Sequence, residues 1–307
     1  MYTNYPYKCF SFAALILIQY LYMSNQVICY GEVLWDTFAD GKQVGGAPLN
    51  VARQLIQQGV SASLVSRLGN DGPGRELLTY LVENKLASPL VQTDRSLPTC
   101  QVTVQLNEKQ QATYVIPKPV SWDNIKLKDD LIEEAKQASA IVFGSLACRE
   151  QVSRATLLNL LTEVKIPLRV FDVNLRHPHY NSDIIETLAA ISNVIKMNEE
   201  EADLLIRSSS TSLKDKIIEF QKKYHTATIC VTRGDAGAMI WHNDKFYEHP
   251  GFKVDVVDTV GAGDAFLATL VNGLLSKLPI GIVLERACRI GSYVASQRGA
   301  NPEPMVK

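Results

Sequence analysis

Short apolar runs alternate with helix-like segments from residue 26 onward. The apolar runs are four or five residues long and predict strands at residues 27–30, 63–66, 140–143, 169–172, 194–197 and 228–232. Between them, apolar residues recur at helical spacing and predict amphipathic helices at residues 47–58, 75–84, 153–163, 184–191 and 213–224. Short apolar strands separated by helices are typical of a mostly parallel sheet that helices cover on both faces. The pattern therefore predicts an α/β fold, a three-layer α/β/α sandwich.

Two stretches break this pattern because polar and apolar residues alternate along them. Residues 33–44 alternate around the turn at residues 39–42, and residues 101–116 alternate around residues 107–110. Both stretches predict hairpins, and their alternation leaves one face exposed, which does not suit a sheet buried on both faces. We expect their strands, from about residues 33–44 and 100–117, to form a small separate sheet that serves as a lid or a dimer surface. Residues 208–212 predict a polar loop.

Composition excludes several classes of function. The 307 residues are 46% hydrophobic and 21% charged, as in an ordinary globular protein with one large domain or two smaller ones. Lys+Arg number 31 and Asp+Glu 32, so no basic surface for nucleic acid is expected and any phosphate site must be local. The six cysteines are scattered, without a CxxC pair or a Cys/His cluster. They predict free thiols in a reducing compartment, hence a cytoplasmic protein, with no disulfide framework.

The N-terminus does not match the rest of the chain. Residues 10–22 are apolar but too short to cross a bilayer as a helix, and Lys8 is the single basic residue before them. The first predicted strand starts just after Met23. We therefore expect residues 1–23 to be an atypical extension outside the fold, with Met23 as the native start, and residues 24–307 to form the domain. An export signal is the alternative, and mass spectrometry of the native N-terminus distinguishes the two.

The stretch from Asp258 to Phe266 is the strongest candidate for chemistry. Gly261, Ala262 and Gly263 come directly before Asp264, which opens an apolar helix. Small residues at such a turn allow a ligand to approach the backbone, and the first N–H groups of the helix attract an anion. An acid would repel a phosphate there, unless it acts as a general base on the hydroxyl that attacks the phosphate. The alternative is a glycine-rich turn in which Asp264 is only an N-terminal helix residue.

A second group of residues could bind a polyol. Gly45 and Gly46 precede a helix and permit close approach, and Asn50 in its first turn offers both a donor and an acceptor for hydroxyls. Upstream, the carboxylate of Asp36 could accept hydrogen bonds from two sugar hydroxyls. A plain turn is the alternative for the two glycines.

Polar residues also follow three of the predicted strands, at the edge where ligands bind in open α/β sheets. Asn198 and Glu201 follow residues 194–197 and share a helix face, so they could orient metal-bound water, or could simply cap the helix. Arg176 follows residues 169–172 and could pair with a phosphoryl group. Thr232 and Gly234 end the strand at 228–232 with a turn that suits a nucleotide.

With these residues assembled, the chain resembles the ribokinase (PfkB) family of carbohydrate kinases over residues 26–304. The segment 45–52 is similar to the N-terminal signature of the family, and residues 258–264 are similar to its C-terminal signature. Segments 31–36 and 119–123 are most similar to the fructokinase-like branch. The resemblance implies a ribokinase-like fold: a three-layer sandwich with a mostly parallel central sheet and a small β-sheet lid.

The resemblance also implies a role for each candidate residue. Asp264 would be the catalytic base, the amides of Gly261, Ala262 and Gly263 the anion hole, and Arg176 a cation near the sugar or phosphate. The sugar site would be formed by Asp36, Gly45, Gly46 and Asn50. The ATP groove would be formed by Asn198, Thr232, Gly234 and Gly263. Glu201 would act on magnesium (Mg2+) through water, and Asp258, the Val260 carbonyl and carbonyls of residues 294–299 would bind a monovalent cation, usually potassium (K+).

The implied activity is ATP-dependent phosphorylation of D-fructose to fructose 6-phosphate. The same chemistry on 2-keto-3-deoxygluconate or ribose is the nearest alternative, and a non-catalytic sugar- or nucleotide-binding regulator is another. A dinucleotide oxidoreductase is disfavoured because no G-x-G-x-x-G motif follows the first strand. The exposed strands of the small sheet also lead us to expect a homodimer through the lid.

Overall fold

The computed structural model describes residues 25–38, 41–106, 112–206, 210 and 212–305. Its strands are β1 (Val27–Tyr30), β2 (Leu34–Phe38), β3 (Gly41–Gly45), β4 (Ala62–Gly69), β5 (Val91–Asp94), β6 (Gln101–Leu106), β7 (Ala112–Val115), β8 (Ala140–Gly144), β9 (Leu168–Asp172), β10 (Val194–Asn198), β11 (Thr228–Thr232), β12 (Ala238–His242) and β13 (Lys245–His249). Its helices are α1 (Ala47–Gln57), α2 (Gly72–Glu83), α3 (Asp129–Gln137), α4 (Gln151–Glu163), α5 (Ser182–Ala190), α6 (Glu199–Leu205), α7 (Leu213–Tyr224), α8 (Ala262–Leu275) and α9 (Ile280–Ala295).

The central sheet has nine strands in the order β13-β12-β11-β10-β9-β8-β1-β4-β5. The seven strands from β11 to β5 in this order are parallel, and β12 and β13 are antiparallel additions at one edge. All six strands predicted from the apolar runs belong to the parallel part, so the prediction of a mostly parallel sheet is confirmed. The pattern missed β5, β12 and β13. Asn243 and Asp244 turn between β12 and β13 with φ of 49° and 61°, a hairpin signal that the sequence carries.

The two predicted hairpins form a separate small sheet in the order β3-β2-β6-β7, named here the small sheet. Each hairpin is antiparallel, and the two are joined by parallel pairing of β2 with β6. The prediction of a separate sheet is thus confirmed. The predicted turn at 107–110, residues 39 and 40 of the predicted turn at 39–42, most of the loop at 208–212, and residues 1–23 lie outside the described residues.

Helices cover both faces of the central sheet because successive strand residues point to opposite sides. In β1, Ile28 and Tyr30 join one buried apolar cluster, and Val27 and Cys29 join the other. The first cluster packs against α3 to α7, and the second against α1, α2, α8 and α9. The helices α3 and α9 were not predicted from the pattern. The three layers agree with the predicted sandwich.

Parallel strands also bring distant segments to one edge. The carboxyl ends of β1, β9, β10 and β11 lie along the same side of the sheet, where the chain turns into the loops and helices that follow. Most of the predicted site residues belong to these turns, to the first turns of α1, α6 and α8, or to the small sheet. Asp258 and Val260 belong to the segment before α8. The fold therefore brings them to one side of the molecule.

Two further findings concern the chain as a whole. Within the described ranges, every helix is too short or too polar to span a membrane. The five cysteines in the described part of the chain are all free and buried, namely Cys29, Cys100, Cys148, Cys230 and Cys288, whereas Cys9 lies outside it.

A buried ion pair ties the exit of the small sheet to the loop after β8. The Arg149 guanidinium donates to both carboxylate oxygens of Asp123 at 2.8 Å and to the Pro117 carbonyl at 2.7 Å, and it stacks over the Trp122 ring. The side chains of Arg149 and Asp123 are each 3% exposed. Removing one partner would leave an uncompensated buried charge.

We expect Arg149→Met to lower the free energy of unfolding by about 3 kcal/mol, because Asp123 would stay buried without its cation. Urea denaturation at neutral pH measures this change. The control is Lys223→Met, which breaks the exposed pair with Glu186 and should change stability by less than about 0.5 kcal/mol. Equal effects of the two substitutions would contradict the prediction.

Candidate active site

Helix α8 begins at a turn that only glycine fits. Gly261 has φ 78°, and a Cβ on it would lie 2.5 Å from the Cα of Ala300. The first intrahelical hydrogen bond runs from Ala265 N–H to the Gly261 carbonyl at 2.9 Å. The N–H groups of the residues before Ala265 belong to the first turn of the helix and have no acceptor within the helix. The Ala262 N–H donates to the Thr259 carbonyl at 3.3 Å. The turn thus presents N–H groups and the positive end of the helix dipole, which suits an anion.

Asp264 lies in this first turn and is held by a helix from the other end of the chain. Asn50 Nδ2 donates to Asp264 Oδ2 at 2.8 Å, and Asn50 Oδ1 accepts from Asn301 Nδ2 at 2.7 Å. Asn50 was predicted to bind sugar hydroxyls. Here both ends of its amide are engaged within the protein, so its first effect is to orient the Asp264 carboxylate.

The electrostatic surroundings of Asp264 suit a base that works near neutrality. Burial and the nearby Asp172 carboxylate raise its pKa to about 6, against lowering by the Asn50 hydrogen bond and the charges of Lys196 and Arg176. A general base is most effective when its pKa lies near the working pH. The arrangement therefore supports the base role that the sequence predicted for Asp264.

Glu32 is a second buried acid of the site, and it was not among the predicted site residues. It follows β1, is 3% exposed, and its Oε2 atom accepts no hydrogen bond from the described residues. Burial raises its pKa to about 7; its own backbone N–H and Arg176 lower the pKa, whereas the Asp264 carboxylate raises it further. An unpaired oxygen buried beside Asp264 is suited to accept a hydrogen bond from a ligand hydroxyl.

Asp36 reaches the same region from β2. A Cβ on Gly45 would overlap the Asp36 carboxylate, and a Cβ on Gly46, with φ 118°, would overlap the Glu32 carbonyl. Glycine is therefore required at Gly46, where φ is positive and the clash is with backbone, whereas a Cβ on Gly45 would meet the ends of the Asp36 and Leu34 side chains. Burial raises the pKa of Asp36 to about 6, and the exposed Arg176 guanidinium lowers it. Arg176 also acts on Glu32 and Asp264, so the three acids Glu32, Asp36 and Asp264 share one cation.

Three of the four predicted nucleotide residues lie at the ends of β10 and β11, and the fourth, Gly263, lies in the first turn of α8 and faces Lys196 of β10. Thr232 pairs in register with Asn198, and Gly234, with φ 57°, opens the turn that follows. Asn198 and Glu201 form a capping box, with Glu201 N–H to Asn198 Oδ1 at 2.7 Å and Asn198 N–H to Glu201 Oε2 at 2.9 Å. The other oxygen, Glu201 Oε1, accepts from Leu175 N–H at 2.8 Å. The helix-cap alternative is thus realised.

The capping box affects how Glu201 could contact magnesium. Both Glu201 oxygens already accept backbone N–H groups, so the carboxylate is suited to hold the water shell of Mg2+ rather than the bare ion. In the described part of the chain no three His, Cys, Asp or Glu side chains are grouped to bind a metal directly.

The predicted cation site lies beside the α8 turn. Asp258 Oδ1 accepts from Val260 N–H at 3.0 Å, and Asp258 Oδ2 accepts from Gly299 N–H at 3.1 Å. Asp258 therefore joins the segment before α8 to the segment after α9. Its carboxylate and the backbone carbonyls around it are hard oxygen donors, which fit an alkali cation.

Sequence reasoning missed Lys196 and Glu32 as site residues. Lys196 lies inside the buried strand β10 and yet faces the first turn of α8, where its Nζ would be 3.1 Å from a Cβ on Gly263. A signal was available, because a lysine inside an otherwise apolar strand is rarely buried without a partner. Glu32, placed directly after a buried strand, carries the same kind of signal.

Comparison with known proteins places this geometry among kinases. The sequence profile of the pfkB family carbohydrate kinase matches residues 11–305. An uncharacterized sugar kinase of Pyrococcus horikoshii is 30% identical in an alignment of 277 positions that covers 86% of this chain and 84% of that protein. The fructokinase of Escherichia coli is 26% identical in an alignment of 296 positions that covers 91% of this chain and 95% of that protein.

Solved structures have the same fold. The crystal structure of the P. horikoshii sugar kinase in complex with ATP has a TM-score of 0.78 and 27% identity, covering 90% of this chain and 93% of that one. The Vibrio cholerae fructokinase bound to fructose, ADP and calcium has a TM-score of 0.77 and 22% identity, covering 91% and 95%. At that identity the second likeness concerns the fold alone.

Burial of Glu32 has a consequence for stability. Its pKa rises from 4.5 to about 7 on folding, so stability is lost as the pH rises through this interval. We expect Glu32→Gln to raise the free energy of unfolding by up to about 3 kcal/mol at pH 8, and to change it little at pH 4.

Urea denaturation of the free protein at both pH values measures this difference. Glu133→Gln is the control, because Glu133 is 70% exposed and its removal should affect both pH values alike. A gain in stability for Glu32→Gln that is the same at pH 4 and pH 8 would contradict the prediction.

Proposed function

The chain belongs to the pfkB family of carbohydrate kinases and is an ATP-dependent sugar kinase, and we propose that its acceptor is D-fructose, which it converts to fructose 6-phosphate. One observation carries the proposed mechanism: an acid with a pKa raised to about 6 lies in the first turn of α8, held by Asn50. This supports a proposal in which a proton acceptor and an anion-binding helix terminus share one turn.

In the proposed reaction, a primary hydroxyl of the sugar approaches Asp264 and gives its proton to the carboxylate. The hydroxyl oxygen then forms a bond to the γ-phosphorus of ATP, and the bond from that phosphorus to the β-phosphate oxygen breaks, releasing ADP. The N–H groups of Gly261, Ala262 and Gly263 stabilise the charge on the moving group, as does Arg176. For this, the Ala262 N–H exchanges its 3.3 Å bond to Thr259 for a phosphoryl oxygen.

The sugar is proposed to lie between β2 and α1. The Asp36 carboxylate accepts hydrogen bonds from its hydroxyls, and Gly45 and Gly46 allow the ring to approach the backbone. The second N–H of the Asn50 amide remains for the sugar while the first orients Asp264. The small sheet then serves as the lid, which is supported by Tyr114 of β7, because the charges of Asp36 and Asp258 both act on its hydroxyl.

ATP is proposed to lie along the ends of β10 and β11, against Asn198, Thr232, Gly234 and Gly263. Magnesium bound with ATP would neutralise phosphate charge, and Glu201 would hold its water shell. Potassium is proposed to bind Asp258 and the Val260 carbonyl beside the α8 turn, with carbonyls of residues 294–299. There it would strengthen the positive potential of the anion site.

Fructose is favoured over other sugars because the E. coli relative, 26% identical and covering 91% of this chain, is a fructokinase. The same site chemistry would serve 2-keto-3-deoxygluconate or ribose, since each offers a primary hydroxyl. The alternative of a non-catalytic regulator is not retained, because the chain belongs to a family of carbohydrate kinases and keeps Asp264 in the first turn of α8.

The assembly and cellular setting are also proposals. Residues 24–307 are taken as the kinase domain, with residues 1–23 outside it. Val115 of β7 is 51% exposed on the small sheet, which supports a homodimer through that sheet; light scattering of the purified protein measures its mass. The free, buried state of the described cysteines supports a cytoplasmic setting.

We expect Asp264→Asn to lower kcat by about 10²–10⁴-fold with little change in the KM for sugar, because the amide keeps the shape but accepts no proton. Release of ADP with saturating ATP measures the rate. Asp203→Asn, at a surface ion pair on α6, is the control and should leave the rate unchanged. Full turnover by Asp264→Asn would refute the base assignment.

In the same assay, wild-type protein is offered fructose, ribose and 2-keto-3-deoxygluconate, each with and without potassium. We expect kcat/KM for fructose to exceed the others by at least about tenfold. Fructose turned over no faster than ribose would remove the claim for fructose and leave the sugar kinase activity.

A further inference from the structure

A buried ion pair lies beneath the first turn of α8. Lys196 on β10 is directly opposite Asp172 on β9, and Lys196 Nζ lies 3.0 Å from Asp172 Oδ1. The two side chains are 9% and 4% exposed. The Lys196 ammonium also faces Gly263, the residue before Asp264, where it would lie 3.1 Å from an added Cβ. The pair is therefore in contact with the helix turn that carries the base.

Packing does not explain this pair. Its neighbours on the same face of the sheet are apolar or weakly polar: Val170, Val194 and Cys230. A buried ion pair in such surroundings gains little over two apolar side chains of similar size. A cation at the N-terminal end of a helix is also opposed by the helix dipole. Asp172 Oδ2 is buried and accepts no hydrogen bond from the described residues. Because burial, the helix dipole and the unpaired Asp172 oxygen all disfavour this ion pair, its presence indicates a function.

We propose that Lys196 and Asp172 are positioning residues for catalysis: their opposite charges beneath the first turn of α8 set the pH at which Asp264 can accept a proton. The inference rests on the proposed function of Asp264 as the base. Neither side chain touches the reacting atoms; both act through Asp264. Lys196 stabilises the ionised base, and Asp172 anchors Lys196 while opposing that effect with its own charge.

The groups that face Asp264 come from four segments. They are Asp172 on β9, Lys196 on β10, Arg176 in the loop after β9, and Glu32 after β1, with the neutral Asn50 on α1. The Asp172 charge raises the pKa of Asp264, and the Lys196 charge lowers it.

Lys196 itself stays charged at the working pH. Burial alone would lower its pKa, but the carboxylates of Asp172, Glu201 and Asp264 together raise it. The cation is thus present throughout the range in which Asp264 titrates. Glu32 and Asp36, whose pKa values burial raises to about 7 and about 6, change protonation in the same range.

The test is the pH profile of kcat/KM for the sugar, which reports the pKa of the base in the free enzyme. Wild-type protein should lose activity below about pH 6, as Asp264 becomes protonated. We expect Asp172→Asn to move this acid limb to lower pH, and Lys196→Met to move it to higher pH, each by about 0.5 unit or more. The titration of ATP contributes equally to the profile of every variant, so it does not affect the difference between two profiles.

Two further variants complete the set. The double variant Lys196→Met/Asp172→Asn removes both buried charges, so it should fold stably. The acid limb of its pH profile should lie between the acid limbs of the two single variants. Lys216→Met breaks the pair with Asp203 at the edge of α7 and should leave the profile unchanged. If Lys196→Met does not fold, Asp172→Asn and the double variant still give the sign of the shift.

A merely structural role would lower the rate or the stability without moving the limb in opposite directions. The inference would be overturned if the acid limb of the pH profile did not move, or moved in the same direction in the two single variants, while sugar kinase activity was present. Wild-type protein that phosphorylates no sugar would overturn the proposed function, and this inference with it.

Discussion

The hydrogen bond between Asn50 and Asp264 is the contact on which the rest of the site depends. It joins the first turn of α1 to the first turn of α8 across 214 residues of chain and fixes the direction of the carboxylate. Asn301 holds Asn50 from the other side. The parallel sheet makes this contact possible, because it brings the helix N-termini to one edge. The sugar side and the phosphate side of the site therefore meet at a single oriented acid.

Around that acid the protein buries charged groups whose removal from water is unfavourable. Glu32, Asp36 and Asp264 are acids whose pKa values burial raises to between about 6 and 7. Arg176 at the surface and Lys196 beneath α8 supply the opposing positive charge. Such groups lower the stability of the free protein and gain their value when a ligand arrives, because hydroxyls and phosphates then satisfy them. Their clustering at one end of the sheet distinguishes this region from the rest of the core.

Much of the fold could be predicted because its strands are buried on both faces. The runs that became β1, β8, β9, β10 and β11 are mostly apolar and buried, and a short apolar run between helices has few other uses. The outer strands β12 and β13 were missed, because their pairing depends on the two-residue turn at Asn243 and Asp244 rather than on an apolar run. The parallel pairing of β2 with β6 was also beyond the pattern, since it joins segments that are distant in the chain.

The sequence by itself determined the kinds of residue at the site: glycines where a turn admits no side chain, and Asp264 at the start of an apolar helix. These are local properties, set by backbone geometry and helix termini. Only the tertiary structure decided what each group does. In the folded protein, Asn50 donates a hydrogen bond to Asp264, both carboxylate oxygens of Glu201 accept hydrogen bonds from backbone N–H groups, and Lys196 lies beneath α8. Those outcomes depend on which strands are neighbours and on how deeply each charge is buried, and neither follows from the order of residues along the chain.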